Sequence, residues 1–279
     1  MAVNHWSLLY LWDKRTLYIG ELMEVITLTP ASSSLMVGLE KPFEFWTPTQ
    51  AKVATRIALI PAGMTLSVDH GNQPIACCYL DPMNNDHAVL ERQMRCNAGG
   101  VSYNSERFAA VLASLTTVYN QMIPPAEAYR CLLQDVFAEP VYERVNMTHY
   151  HQIKKAIAII KANPTDNVSN HALAEQVGLS ESQLQRQFKA ITGVPIRRFR
   201  LWHRLFITAT LMGMGLSLTD ASLEAGFSDA SHFNHTFKSM LGMKPSFVLK
   251  RRDQIKIFAG GNHGCDQAQN KQPNSLDLL

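Results

Sequence analysis

The stretch "LSESQLQRQFKAITG", Leu179–Gly193, decides how this chain of 279 residues is read. Ser180 is followed three residues later by Gln183, a capping-box signature that starts a helix. Leu184, Phe188 and Ile191 then recur at helical steps, and Gly193 stops the run. Further on the chain writes "FSDASHFNHTFKSMLG", Phe227–Gly242, in which Phe233, Phe237 and Met240 or Leu241 take the buried positions. A short helix precedes each copy. In "HALAEQVG" Leu173, Ala174 and Val177 face inward and Gly178 ends the turn; in "TDASLEAG", with Ser217 as cap and Asp220 three residues on, Ala221, Leu223 and Ala225 are small or apolar and Gly226 ends the helix. Gly178 to Gly226 and Ser180 to Ser228 are both 48 residues, whereas Phe188 to Phe237 and Gly193 to Gly242 are 49. With Ser228 as the second cap, the extra residue is expected between that cap and Phe237.

Two short helices around a tight turn, the second exposing polar residues, form the helix-turn-helix layout, expected here over about 169–192 and again over 217–241. Between them "PIRRFRLWHRLFITATLM", 195–212, has no breaker after its leading proline, and Ile196, Phe199, Trp202, Phe206 and Ala209 recur on one stripe. Eighteen helical residues make a rod of roughly 27 Å, close to the ~34 Å turn of B-DNA. Such a rod can hold two reading helices in successive major grooves on one face of a non-palindromic site. Charge agrees with a polyanionic partner. Residues 149–258 carry 15 Lys and Arg against 7 Asp and Glu, and residues 1–148 carry 10 against 14.

The N-terminal half reads differently. "KVATRIALI" (Lys52–Ile60), "TLSVD" and "IACCYL" (Ile75–Leu80) are short β-rich runs separated by turn residues, which predicts a small β-barrel or sandwich. Phe108, Val111, Leu112, Leu115, Val118, Tyr119 and Met122 then stripe a helix over 105–122. A second helix buries Tyr129, Leu132, Leu133 and Val136. These stripes serve either packing on the barrel or a homodimer contact through the 105–122 helix. Residues 141–149 read as a linker, and Ile153, Ile157 and Ile160 stripe the helix that opens the basic half and ends before Pro164. The polar Gly/Asn/Gln-rich tail, 253–279, is expected to be disordered.

Residues of about 150–250 resemble the AraC/XylS family of bacterial transcription regulators, on the strength of "LAEQVGLSESQLQRQFKAITGVPI" and "LTDASLEAGFSDASHFNHTFKSMLGMKP". The resemblance implies an α+β chain: a cupin-like sensor barrel over 1–140, weakly supported by "ALIPAG" and "YLDP", and an all-α DNA-binding domain over 150–252. The family's usual Ser, any residue, aromatic and Arg after the final proline is broken here, where Pro245, Ser246 and Phe247 are followed by Val248 and Leu249. The last helix is therefore expected to pack differently. It further implies a promoter-binding regulator, with an activator's bias, contacts to RNA polymerase and a small-molecule effector. Arg186 and Gln185 are the leading base readers, Arg for guanine O6 and N7 and Gln for adenine N6 and N7. Ser182 and Gln183 lie on the same helix, and Ala230, Ser231, Asn234 and His235 take the reading positions of the second. Lys189, Lys238, Arg197, Arg198 and Arg200 are expected on phosphates, giving affinity without sequence choice.

Two other readings compete. A cupin-type enzyme or a thiol-based sensor or repair protein would need a converging constellation, yet Asp69, His70, Asp81, Asp86 and His87 show no ligand spacing. The barrel lacks a close His-x-His pair, and Cys77, Cys78, Cys96, Cys131 and Cys265 match no C-x-x-C pattern. A nonspecific DNA-packing protein would have uniformly basic reading faces, and these are polar. No catalytic residue, metal or cofactor is therefore expected. With no apolar run of membrane-spanning length and no signal-peptide pattern at the start, a cytoplasmic location is the default expectation.

Overall fold

The computed structural model describes residues 6–21, 25–138, 148–246 and 254–259. The N-terminal half contributes β1 (Ser7–Leu11), β2 (Thr16–Glu21), β3 (Ile26–Leu28), β4 (Ser34–Gly38), β5 (Phe43–Thr47), β6 (Gln50–Thr55), β7 (Ile57–Ile60), β8 (Leu66–Asp69) and β9 (Pro74–Tyr79). A short helix α1 (Asp86–Glu91), the hairpin β10 (Met94–Ala98) and β11 (Val101–Ser105), and helices α2 (Phe108–Gln121) and α3 (Pro125–Cys131) follow. The larger sheet runs β10-β11-β7-β4-β9-β2-β1, and the smaller runs β3-β8-β5-β6. Their facing sides bury Met36, Phe45, Val68, Ile75 and Cys77.

The run Lys52–Ile60 divides into two strands. The chain leaves the small sheet after Thr55 and enters the large one at Ile57. Arg56 at the crossing donates to Gly38 O and Leu39 O, at 3.0 and 2.7 Å, which ties the corner down. Successive residues of β9 alternate faces, so Cys77 points into the inter-sheet core and Cys78 to the outer face. That outer face is covered by the α2 stripe, with Val111, Leu115, Val118 and Tyr119 packed against Leu8, Leu17, Ile19 and Leu35. The stripe thus covers the chain's own sheet. Past α3 the helix widens into π-helical turns over Leu132–Phe137, which rotates Leu133 to the surface and turns Phe137 inward. Leu133 was expected inside; the extra residue per turn moves it out. A buried bidentate pair, Arg15 to Asp86 at 2.7 Å on both bonds, joins α1 to the β1–β2 turn.

The C-terminal half is helical: α4 (Tyr150–Ala162), α5 (Asn170–Val177), α6 (Glu181–Thr192), α7 (Ile196–Gly213), α8 (Leu218–Glu224) and α9 (Ala230–Leu241). Residues 139–147, most of the expected linker, lie outside the described residues, as do 247–253 with the altered final motif and 260–279. The expectation of a disordered tail from residue 253 fails at its start. Ile255–Ala259 forms β12, which pairs in parallel with β1, Ser7 opposite Ile255 and Leu11 opposite Ala259. Its alternating Ile255, Ile257 and apolar neighbours fit a strand, and Ile257 also packs on the helix end at Gly213.

The two halves touch at several named points. Arg198 donates to Thr29 O, Thr29 N donates to Ser239 O at 3.0 Å, and the rings of Tyr79 and Trp202 lie 4.7 Å apart. Gly193 and Gly242, which end α6 and α9 with φ of +80° and +77°, both sit against the barrel. A Cβ on the first would meet Ala62 Cβ at 2.9 Å, and on the second Ile26 Cβ at 2.7 Å. At these two positions glycine serves twice, as a left-handed cap and as the point of close approach.

Candidate nucleic-acid interface

The second helix of each unit, α6 and α9, starts with the same local chemistry. Ser180 accepts from Gln183 N while Gln183 Oε1 accepts from Ser180 N at 3.1 Å, which completes the capping box of α6. The cap of α9 is Asp229, whose carboxylate accepts from His232 N at 2.8 Å; Ser228 Oγ instead donates to Asp229. The backbone N–H of His232, helped by Ser228, holds the Asp229 carboxyl below its ordinary range. This corrects the cap expected at Ser228. Ser180 to Asp229 is 49 residues, so cap, phenylalanine and glycine now share one offset, and the extra residue lies in the turn before the cap. Both helices are 12 residues long.

That offset pairs the faces residue by residue. Ser182 corresponds to Ser231, Gln185 to Asn234, Arg186 to His235 and Lys189 to Lys238, and all eight are exposed. The side chains of Arg186, Lys189, Asn234, His235 and Lys238 hold no partner among the described residues, which leaves their donors and acceptors available. Gln185 is committed in part, since its Nε2 donates to Glu181 Oε1 at 2.9 Å. Gln183 is half-buried and holds the capping box through its Oε1. Ala230 is exposed at the first turn of α9, and its counterpart is Glu181. Glu181 was missed because the cap at Ser228 would have set it opposite Asp229. Aligning the copies from Phe188 and Phe237 finds it. A carboxylate there can accept from a cytosine N4 amine.

The three arginines at the start of α7 separate in the structure. Arg197 is exposed. Arg198 is half-buried against the barrel through Thr29 O, and burial pushes its pKa below the ordinary value. Arg200 donates to Val168 O at 2.6 Å and is lowered in the same way, with Arg204 adding repulsion. Helical steps of about 100° send neighbouring side chains in different directions, so a cluster in sequence is not a cluster on one face. Of the expected phosphate contacts, Lys189, Lys238 and Arg197 stand clear, and Arg198 and Arg200 are held by internal carbonyls.

The residues of the competing readings are occupied elsewhere. Asp86 is in the buried pair with Arg15, Asp69 accepts from Gly71 N, and His87 Nδ1 lies 3.8 Å from Glu91. Burial pushes the Cys77 thiol up to about 11 and the Cys78 thiol up to about 12, away from the thiolate that redox chemistry requires. Among the described residues no three His, Cys, Asp or Glu side chains converge as metal ligands, and no helix is long and apolar enough to cross a membrane.

A β-rich domain docked on two helix-turn-helix units that share one rod defines a two-domain helix-turn-helix protein. Residues 173–251 match the helix-turn-helix domain family, and the C-terminal domain is a helix-turn-helix domain of the AraC type. The chain is 34% identical over 104 residues to an uncharacterised HTH-type transcriptional regulator, YidL, of Escherichia coli, covering 37% of this chain and 35% of that one. It is 34% identical over 98 residues to the HTH-type transcriptional activator RhaS of Escherichia coli, covering 35% of each. The matched part is thus about a third of the length of these curated relatives. The fold as a whole is like that of ToxT from Vibrio cholerae O395, with TM-score 0.57 and 14% identity over 86% of this chain and 98% of that one. An apo ToxT variant from Vibrio cholerae gives 0.58 and 12% over the same shares.

Proposed function

We propose that this chain is a sequence-specific transcription regulator, which reads a non-palindromic duplex site with α6 and α9 and answers to a small molecule through its N-terminal domain. The observation that carries the reading is the pair of equal helices in one 49-residue register, carried on the 18-residue α7. A rod of about 27 Å suits two insertions about one turn of duplex apart, so one chain suffices for one site. Arg186 takes a guanine, Asn234 an adenine, Ala230 a thymine methyl, and Gln185 with Glu181 an amino-bearing base edge. Ser182, Ser231 and His235 supply single hydrogen bonds, and Lys189, Lys238 and Arg197 neutralise phosphates. The likeness to the activator RhaS favours activation through contact with RNA polymerase, with no reaction catalysed by the chain itself. The fold likeness to ToxT, solved with an unsaturated fatty acid bound, favours a small-molecule effector.

Selection of bound duplexes from a random library tests this reading. The expected product is an asymmetric site with two conserved segments centred about 10 base pairs apart. Enrichment of no motif, with ready displacement by unrelated DNA at physiological salt, would instead make the chain a nonspecific DNA-packing protein.

A further inference from the structure

A cavity of about 320 Å³ lies between the barrel and the DNA-binding domain. The barrel side contributes Leu9, Met36 and Tyr79, and the helical side Trp202, Phe206 and Phe237. β12 closes it through Ile255 and Ile257. The stripe of α7 explains why it exists. Ile196 and Phe199 fill the core of the first helix-turn-helix unit, but Trp202, Phe206 and Ala209 on the same stripe continue past that core and stay half-buried over the gap.

The lining has a definite chemistry. None of the described lining residues carries a charge. Its side-chain hydrogen-bonding groups are hydroxyls, one thiol and the Trp202 indole N–H: Ser7 Oγ and Tyr18 OH lie 3.3 Å apart, and burial raises the Cys77 thiol and the Tyr79 phenol so that both stay neutral. An unpaired ion placed there would lose its hydration with no counter-charge to replace it. A charged cavity of similar size, about 310 Å³, adjoins it across Thr16, Tyr79, Trp202 and Phe206, and is lined by Asp13, Lys14, Asp81, Lys154 and Lys161. The two differ in what they can hold.

We propose that the uncharged cavity binds a neutral, predominantly apolar small molecule, whose single hydrogen-bonding group meets the hydroxyls of Ser7 and Tyr18. Its binding alone stands apart from the regulator reading; its effect on DNA rests on that reading. The occupant touches α7 and α9 from the barrel side, so it sets the position of the second reading helix. Gly193 and Gly242 against Ala62 and Ile26 make both units sensitive to such a shift.

Two probes of equal chain length, decan-1-ol and decanoate at pH 7, test the assignment on the full chain. Thermal unfolding and tryptophan fluorescence report binding. Decan-1-ol is expected to raise Tm and to bind at least tenfold more tightly than decanoate. Ala209→Phe, which fills the gap, should abolish the decan-1-ol shift while unfolding as cooperatively as the parent. If that variant fails to fold, Ala209→Leu should weaken the probe at least threefold. Lys154→Ala, in the charged neighbour, should leave decan-1-ol binding unaltered. A missing decan-1-ol shift, decanoate binding as tightly, or a filled variant that still binds would each overturn the proposal. Probe binding without sequence-specific DNA binding would sink the regulator reading and leave the site standing; the reverse would sink the site.

Discussion

The two helix-turn-helix units share a 12-residue second helix in one register, yet they are packed in different ways. The first has the larger core: Leu173, Val177, Leu184, Phe188 and Ile191 close on Ile153, Ile157 and Phe199, Phe188 and Phe199 meet edge to face at 5.4 Å, and Met83 of the N-terminal half is buried among them. The second has a smaller core around Leu205, Ala225, Phe227, Phe233 and Met240, with Ala31 of the barrel inserted into it. At equivalent positions Phe188 is fully buried, whereas Phe237 is half-buried and lines the cavity between the domains. The first unit therefore supplies most of its own packing. The second has fewer buried residues of its own and so leans more on the barrel for its packing.

Mutations can break or sharpen this contrast. The largest expected effect is on stability: Phe188→Ala should cost about 3–5 kcal/mol in urea unfolding, and Phe237→Ala less than half as much. Equal costs would erase the difference in packing. Next in size is base reading. Arg186→Ala should cost about 1–3 kcal/mol of specific affinity and relax the preference at one base pair. His235→Ala, with a weaker reader at the same position, should cost less than about 1 kcal/mol. Binding-site selection with each variant checks this, and an unaltered motif with Arg186→Ala would remove that residue from the bases. The smallest effect should be the same in both units. Lys189→Ala and Lys238→Ala should each flatten the dependence of log affinity on log salt by about one unit. A change for one lysine and none for the other would mean that the two helices do not approach the backbone alike.

Much of the site was legible because it is local. Ser180 with Gln183, the phenylalanines at 188 and 237, and the glycines at 193 and 242 mark helix starts, buried faces and stops without reference to the rest of the molecule. Where local signals competed, the reading slipped. Ser228 and Asp229 are both good caps, and the choice between them moved the register by one residue and hid Glu181. The strand break at Arg56 and the rotated Leu133 arise from a change of sheet and a π-helical turn, and neither leaves a periodic trace.

The amino-acid sequence by itself determined α6 and α9, the rod between them and the polar faces they expose, because capping, helical periodicity and burial of alternate turns act over a few residues. Tertiary structure decided which charges on that rod are free. Arg197 faces solvent, while Arg198 and Arg200 are claimed by carbonyls 169 and 32 residues away in the chain. It also decided that Ile255–Ala259 returns to β1, and that the half-buried end of the α7 stripe faces a cavity rather than a core. These outcomes depend on pairing between distant segments, which residue spacing along one segment does not encode.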